Sequence, residues 1–318
     1  MMKVMFLLSA YSTYFSGIPT TITTKSQVSG YSGKIYVYDS WFISLTSSSS
    51  SAISLSGSME FLCENSIFRG CISQSGAVVT ITGTSTGVVF NQVCVSACYN
   101  TATGWVAGQF CYVSDSSISI LEYISVIECS PANVRTGSDP IVIYYGNQKI
   151  ANTNCSENYV IQEACLLCAY AAPVRIIHSN FADNHPVSII GLYFYHGEVY
   201  LESCNIVNNY GPGGYGIYTN QQATGSVKYC VCSSNDGVLF YAQTATTTLE
   251  NNWISHVGQV YTGPVSVISS YSGSASYALE LINNNLCFID IKPLKVPSPN
   301  QISHPKIIFN SVLFLITC

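Results

Sequence analysis

Short apolar pieces, separated by Gly, Ser, Asn and Thr, run along most of the chain. Ala77-Val78-Val79-Thr80-Ile81, Val174-Arg175-Ile176-Ile177, Glu198-Val199-Tyr200-Leu201 and Gly216-Ile217-Tyr218 are representative. These pieces are β-branched or aromatic and often alternate with polar positions, which is the chemistry of half-buried strands. Helical repeats would need longer stretches with apolar positions at 3.6 spacing, rich in Ala, Leu, Glu and Lys. The chain does not offer them.

The pieces recur. Asn180-Phe181-Ala182-Asp183-Asn184 is the clearest copy of a phrase in which an apolar anchor is followed, three residues on, by a small polar residue. Anchors fall at Phe68, Val95, Val126, Cys155, Phe181, Ile206, Cys232, Trp253 and Leu286, with gaps of 27, 31, 29, 26, 25, 26, 21 and 33 residues. Three residues after them stand Cys71, Cys98, Cys129, Asn158, Asn184, Asn209, Asn235, His256 and Ile289. A period near 27 residues signals a solenoid. Three strands fit in one repeat, for example at Val199, Cys204 and Tyr215 and the residues following each. The spacing therefore predicts an all-β fold: a single-stranded, right-handed parallel β-helix of about ten coils between Ile35 and Ile291.

In such a coil, side chains at equivalent corners stack about 4.8 Å apart. Asn suits a corner because it tolerates the left-handed backbone and bonds local amides, and stacked Asn side chains hydrogen-bond one another. Cys is the small apolar alternative. Cys71, Cys98 and Cys129, followed by Asn158, Asn184, Asn209 and Asn235, read as two ladders laid end to end, with a structural role.

Composition narrows the function classes. Charged residues make up only 8% of the chain, so Ser, Thr, Asn, Gly and the 23 tyrosines must supply its surface. The net charge is −5, and residues 60–290 hold fifteen Asp or Glu against five Lys or Arg. Without a basic stripe, nucleic acid is not an expected partner. No stretch of 18 apolar residues exists to span a membrane as a helix. Fourteen cysteines in 318 residues are too dilute for a disulfide scaffold. Cys165-Leu166-Leu167-Cys168 has redox spacing without the βαβ setting that motif requires, and Cys230-Val231-Cys232 alternates like two residues on one strand face. A zinc site lacks its second pair of ligands. No metal or cofactor is expected. In an oxidising compartment, Cys94 with Cys98, or Cys63 with Cys71, are the bridges to test.

The ends differ from the middle. Residues 1–34 read as an N-terminal segment or cap; its first sixteen residues have only the minimal features of a signal peptide. Residues 35–291 carry the coil, and residues 292–318 a Pro- and Lys-bearing cap or tail. Asn154-Cys155-Ser156 is the one Asn-x-Ser/Thr sequon, making Asn154 the glycosylation candidate.

The phrase Phe-x-x-Asn at Phe181–Asn184, with degenerate copies ending at Asn158, Asn209 and Asn235, is joined by Gly-Gly-Ala-Ile-like phrases at Ser75-Gly76-Ala77-Val78 and Gly213-Gly214-Tyr215-Gly216-Ile217. Together they resemble the repeats of polymorphic outer-membrane proteins and of the right-handed β-helix surface proteins of trichomonad protists. The resemblance covers roughly residues 60–290. It implies the β-helix fold and a surface-exposed, adhesive role, without the C-terminal transmembrane helix that such proteins often carry.

Two function classes follow. The first is a non-enzymatic, extracellular or cell-surface solenoid offering a Tyr- and Asn-rich face to a protein or glycan, with a cytoplasmic location as the alternative. The second is a polysaccharide lyase or hydrolase, since pectin-degrading enzymes share the fold. Hydrolysis needs carboxylates about 5–9.5 Å apart. The best catalytic set the chain offers is Asp183, His196, Glu198 and Glu202, with Arg175 and His178 nearby. Glu64, Glu122, Glu202 and Lys228 each fall four residues before an anchor, which reads as a surface lane. The acidic coil also opposes an acidic polymer.

Overall fold

The computed structural model describes residues 10–272, apart from 85–86, 102–107, 131–136, 138, 162–164, 187–189, 212–214, 221–222, 245 and 256–258. Among these, the chain winds into a parallel β-solenoid of about eight turns. Every strand pairing is parallel, each strand lying over its equivalent one turn later. Each turn has three faces. In one turn, residues 59–64 build the first face, residues 66–69 the second, and Val79–Thr82 the third. The count is below ten because the coils expected towards Ile291, with Leu286 and Ile289, lie outside the described residues, as does the tail from 292.

The alternation in the strands sorts side chains between inside and outside. On the second face, Phe42, Phe68, Val95, Val126, Cys155, Phe181, Ile206, Cys232 and Ile254 form one register column, and all are buried in one continuous core. That column corrects one anchor. Ile254, not Trp253, pairs with Cys232; Trp253 pairs with Val231 and stacks on Tyr271, ring centroids 6.4 Å apart. A one-residue slip moves a side chain to the opposite face, and two adjacent apolar residues hide such a slip from the sequence. His256, the ladder residue that a Trp253 anchor implied, lies outside the described residues.

Sharp corners come from single residues in the left-handed region. Between the first and second faces these are Asp39, Asn65, Gln92, Tyr123, Asn152, His178, Ser203, Tyr229 and Asn251; after the second face, Ser44, Gly70, Ala97, Glu128, Glu157, Asp183, Asn208 and Ser234. Such a residue bends the chain sharply from one face to the next without a loop.

Within the N-terminal segment, Thr20–Ile22 pairs with Ile35–Val37 and Val28–Ser29 with Ile53–Ser54, so the stack begins before Ile35. Residues 10–14 are helical, closed by the Phe15 amide donating to the Tyr11 carbonyl at 2.9 Å, and they lie against the outside of the first face. Tyr11 packs there with Tyr36, Leu62 and Val89 in a second, separate apolar cluster.

Candidate functional site: a tyrosine face and its inner ladders

The corner ladder is built as follows. Asn158, Asn184, Asn209 and Asn235 point into the coil, at 7% exposure or less. The Nδ2 of each donates to the carbonyl of the preceding turn's anchor: Asn158 to Val126 (3.2 Å), Asn184 to Cys155 (3.0 Å), Asn209 to Phe181 (3.0 Å), Asn235 to Ile206 (2.7 Å). The Oδ1 of each accepts the preceding ladder residue's amide, as at Cys129 to Asn158 (2.9 Å) and Asn158 to Asn184 (3.1 Å). Side chains also bond directly, Asn158 to Asn184 and Asn184 to Asn209. Cys71 does the same job with sulfur: its thiol donates to the Phe42 carbonyl at 3.2 Å. A thiol is a weak donor of about the right reach, so Cys and Asn occupy one position for one reason.

A second inner ladder escaped the sequence reading. At the preceding corner, the Ser40 amide donates to Ser66 Oγ, Thr153 to Ser179 Oγ, Cys204 to Cys230 Sγ, and Cys230 to Asn252 Oδ1. The acceptors are of three kinds, Ser, Cys and Asn, and that variety hid the ladder from the sequence.

The eleven free cysteines among the described residues are all buried. Burial pushes the Cys63 thiol up to about 12, and those of Cys111, Cys129, Cys168 and Cys232 well above the usual thiol range. Neither suggested bridge forms: Cys63, Cys71 and Cys98 are free, while Cys94 is in a disulfide. Among the described residues no group of three or more His, Cys, Asp or Glu is placed to hold a metal ion. No helix there is long and apolar enough to cross a membrane.

The best catalytic set is not brought together. Asp183 and His196 are left-handed corner residues at different corners. Glu198 and Glu202 sit four residues apart on one strand, which separates them by about 13 Å, beyond the ~5–9.5 Å that glycoside hydrolysis uses. Glu198 accepts from the Tyr200 hydroxyl at 3.0 Å, and the Arg175 guanidinium lies over the Tyr200 ring at 4.8 Å. His178 is half-buried at its corner. Glu64, Glu122, Glu202, Lys228 and Glu250 share one outer lane of the first face. Lys149 pairs with Glu122, and Lys228 pairs with Glu250 at 2.6 Å. Asn154 is buried in its strand, with Nδ2 donating to Ser156 Oγ and Oδ1 accepting from Asn180.

The face that does reach outward is the third. Tyr112, Val142, Leu167 and Tyr193 stand in one register column, each flanked by core residues such as Cys111 and Val113 or Leu192 and Phe194, and so point away from the core. Rings run through it without a break: Tyr112 to Tyr144 (5.8 Å between centroids), Tyr144 to Tyr145 (6.3 Å), Tyr145 to Tyr170 (5.3 Å), Tyr170 to His196 (5.1 Å) and to Tyr195 (5.2 Å), and Tyr195 to Tyr193 (6.1 Å). They spread over Val142 and Ala169, which are only 2% exposed although they face outward. None of the third-face segments from Cys111–Val113 to Val238–Ala242 holds a charged residue. The ladder asparagines lie inside, away from this face.

Compared with protein-family models, with curated proteins and with solved structures, the chain matches none. No match supports its likeness to outer-membrane and trichomonad repeats, which rests on the sequence phrases alone.

Proposed function

We propose that the protein is a non-enzymatic, surface-displayed or secreted interaction scaffold that engages a protein partner through the tyrosines of its third face. The observation that carries this reading is the unbroken, uncharged network from Tyr112 to Tyr193, presented by strands whose backbone is fixed by pairing on both sides. Tyrosine offers large contact area with two rotatable bonds to immobilise, and a hydroxyl to bond, which suits recognition. A protein fits better than a glycan. Tyr145, Tyr170 and His196 stack on one another, with ring planes within 18°, so their inner faces are already used and edges and hydroxyls are left for contact. The phrase shared with trichomonad and outer-membrane surface repeats agrees with display outside the cell. The separation of Glu198 from Glu202 gives no support to a hydrolase.

Impermeant-biotin labelling of intact source cells tests the location, followed by binding of the purified chain to the surfaces those cells contact. The Tyr145→Ser/Tyr170→Ser double variant should bind about tenfold or more weakly, since buried interface tyrosines are commonly worth over 1 kcal/mol each, with an unchanged melting curve. Recovery of the protein from the cytosol alone, or equal binding by the double variant, would overturn the proposal.

A further inference from the structure

We infer that residues 10–15 are a latch: an aromatic helix docked in cis on an outer strip of the first face, whose release exposes that strip and loosens the first turns. Tyr36, Leu62, Val89 and Ile120 occupy one register column. The first three are flanked by core residues, Ile35 and Val37, Phe61 and Cys63, and Val88 and Phe90, so they point outward; yet all three are at most 1% exposed. The helix accounts for this. Tyr11, Tyr14 and Phe15, at i, i+3 and i+4, share one helix face, and Tyr11 is fully buried against the strip.

Three features mark the strip as built for this occupant. Its apolar run stops where the helix stops: the next members of the column are Lys149 and Arg175. Polar tips are met in register, with the Tyr11 hydroxyl donating to Glu60 at 3.3 Å, the Tyr14 hydroxyl to Glu122 at 3.2 Å, and the Tyr36 hydroxyl to Glu64. Room for the last ring is made by a glycine, since a Cβ at Gly87 would lie 2.4 Å from Phe15. Lys34 ties down the exit by donating to the Ser16 carbonyl and pairing with Glu60 at 3.6 Å. One short segment thus bridges strands from four successive turns.

Native chymotrypsin on the full-length chain, with cleavage mapped by mass, tests the latch at Tyr11, Tyr14 and Phe15. Cleavage there should be at least about tenfold slower than in a free peptide of the same sequence. Gly87→Val, which drives Phe15 out, should restore most of that rate and raise dye binding to exposed apolar surface several-fold, with residues 141–177 still resistant. Should Gly87→Val also disturb its own strand, the Tyr11→Phe/Tyr14→Phe chain decides, since it removes only two hydroxyls and should be cut about threefold faster than wild type. Peptide-like cleavage of the wild type, or no acceleration in the double Phe variant, would overturn the inference.

Discussion

Asn184 shows how much one side chain does in this fold. Its amide nitrogen donates to the Cys155 carbonyl and to Asn209 Oδ1, and its oxygen accepts from both the backbone and the side chain of Asn158. Asn184→Ala leaves several buried groups without partners, each costing about 1–3 kcal/mol before relaxation. Chemical denaturation should show a loss of about 3 kcal/mol or more. Asn184→Cys keeps a donor to the carbonyl, as Cys71 does, and should lose roughly half as much; equal losses would refute the shared-donor account. His178 gives a pH-dependent counterpart. Burial lowers its pKa below the ordinary 6.5, although Glu202 acts the other way. The folded protein therefore holds the neutral imidazole more tightly than the unfolded chain does. Its contribution is present above pH 6.5 and is lost as the pH falls through the lowered value, so stability rises with pH across that window. His178→Asn, which keeps a side chain tolerant of φ 50°, should flatten the melting temperature in the window below pH 6.5. An unchanged slope would assign the dependence to other groups.

At the scale of strands and corners, the backbone sets limits that side chains cannot relax. His196 of the candidate catalytic set is followed by Gly197, which has φ +97°, and a Cβ there would sit 1.7 Å from the Ala171 carbonyl oxygen. Gly197→Ala should cost more than about 2 kcal/mol through strain and clash together, while Ala97→Gly, at an exposed left-handed corner with φ 51°, should be neutral or slightly stabilising. Opposite signs in denaturant midpoints check the pair, and a harmless Gly197→Ala would remove the structural reason for that glycine. The sequence made the strands and the 27-residue period legible because anchors such as Phe181 and ladder residues such as Asn184 repeat in type. It failed where the requirement is geometric. Ser66, Ser179, Cys230 and Asn252 share a corner by presenting an acceptor, not by resembling one another. Trp253 was indistinguishable from Ile254 without the register. The tyrosine face was legible only as a surplus of tyrosine, because contacts such as Tyr112 with Tyr144 join residues 32 apart along the chain, in neighbouring turns whose lengths differ.

Across the whole molecule, each turn meets only the turns above and below it, so stability is a sum of nearest-neighbour terms and the first turns should open most easily. The latch changes that expectation on one side of the stack. It adds a lateral contact from Tyr11 to Tyr36, Leu62 and Val89, linking turns that otherwise communicate only in sequence. Native-state hydrogen exchange reads this directly. In the wild-type chain, amides of Gly33–Tyr38 should be protected nearly as well as those of Asn147–Ala151, despite lying close to the described start of the coil. In Gly87→Val, protection of Gly33–Tyr38 should fall by about tenfold or more while Asn147–Ala151 changes little, because loss of a lateral contact weakens only the turns it spans. A uniform fall along the stack would mean that the solenoid opens as one cooperative unit. An unchanged profile would mean that axial pairing alone sets the protection of the first turns, and that the helix merely rests on them.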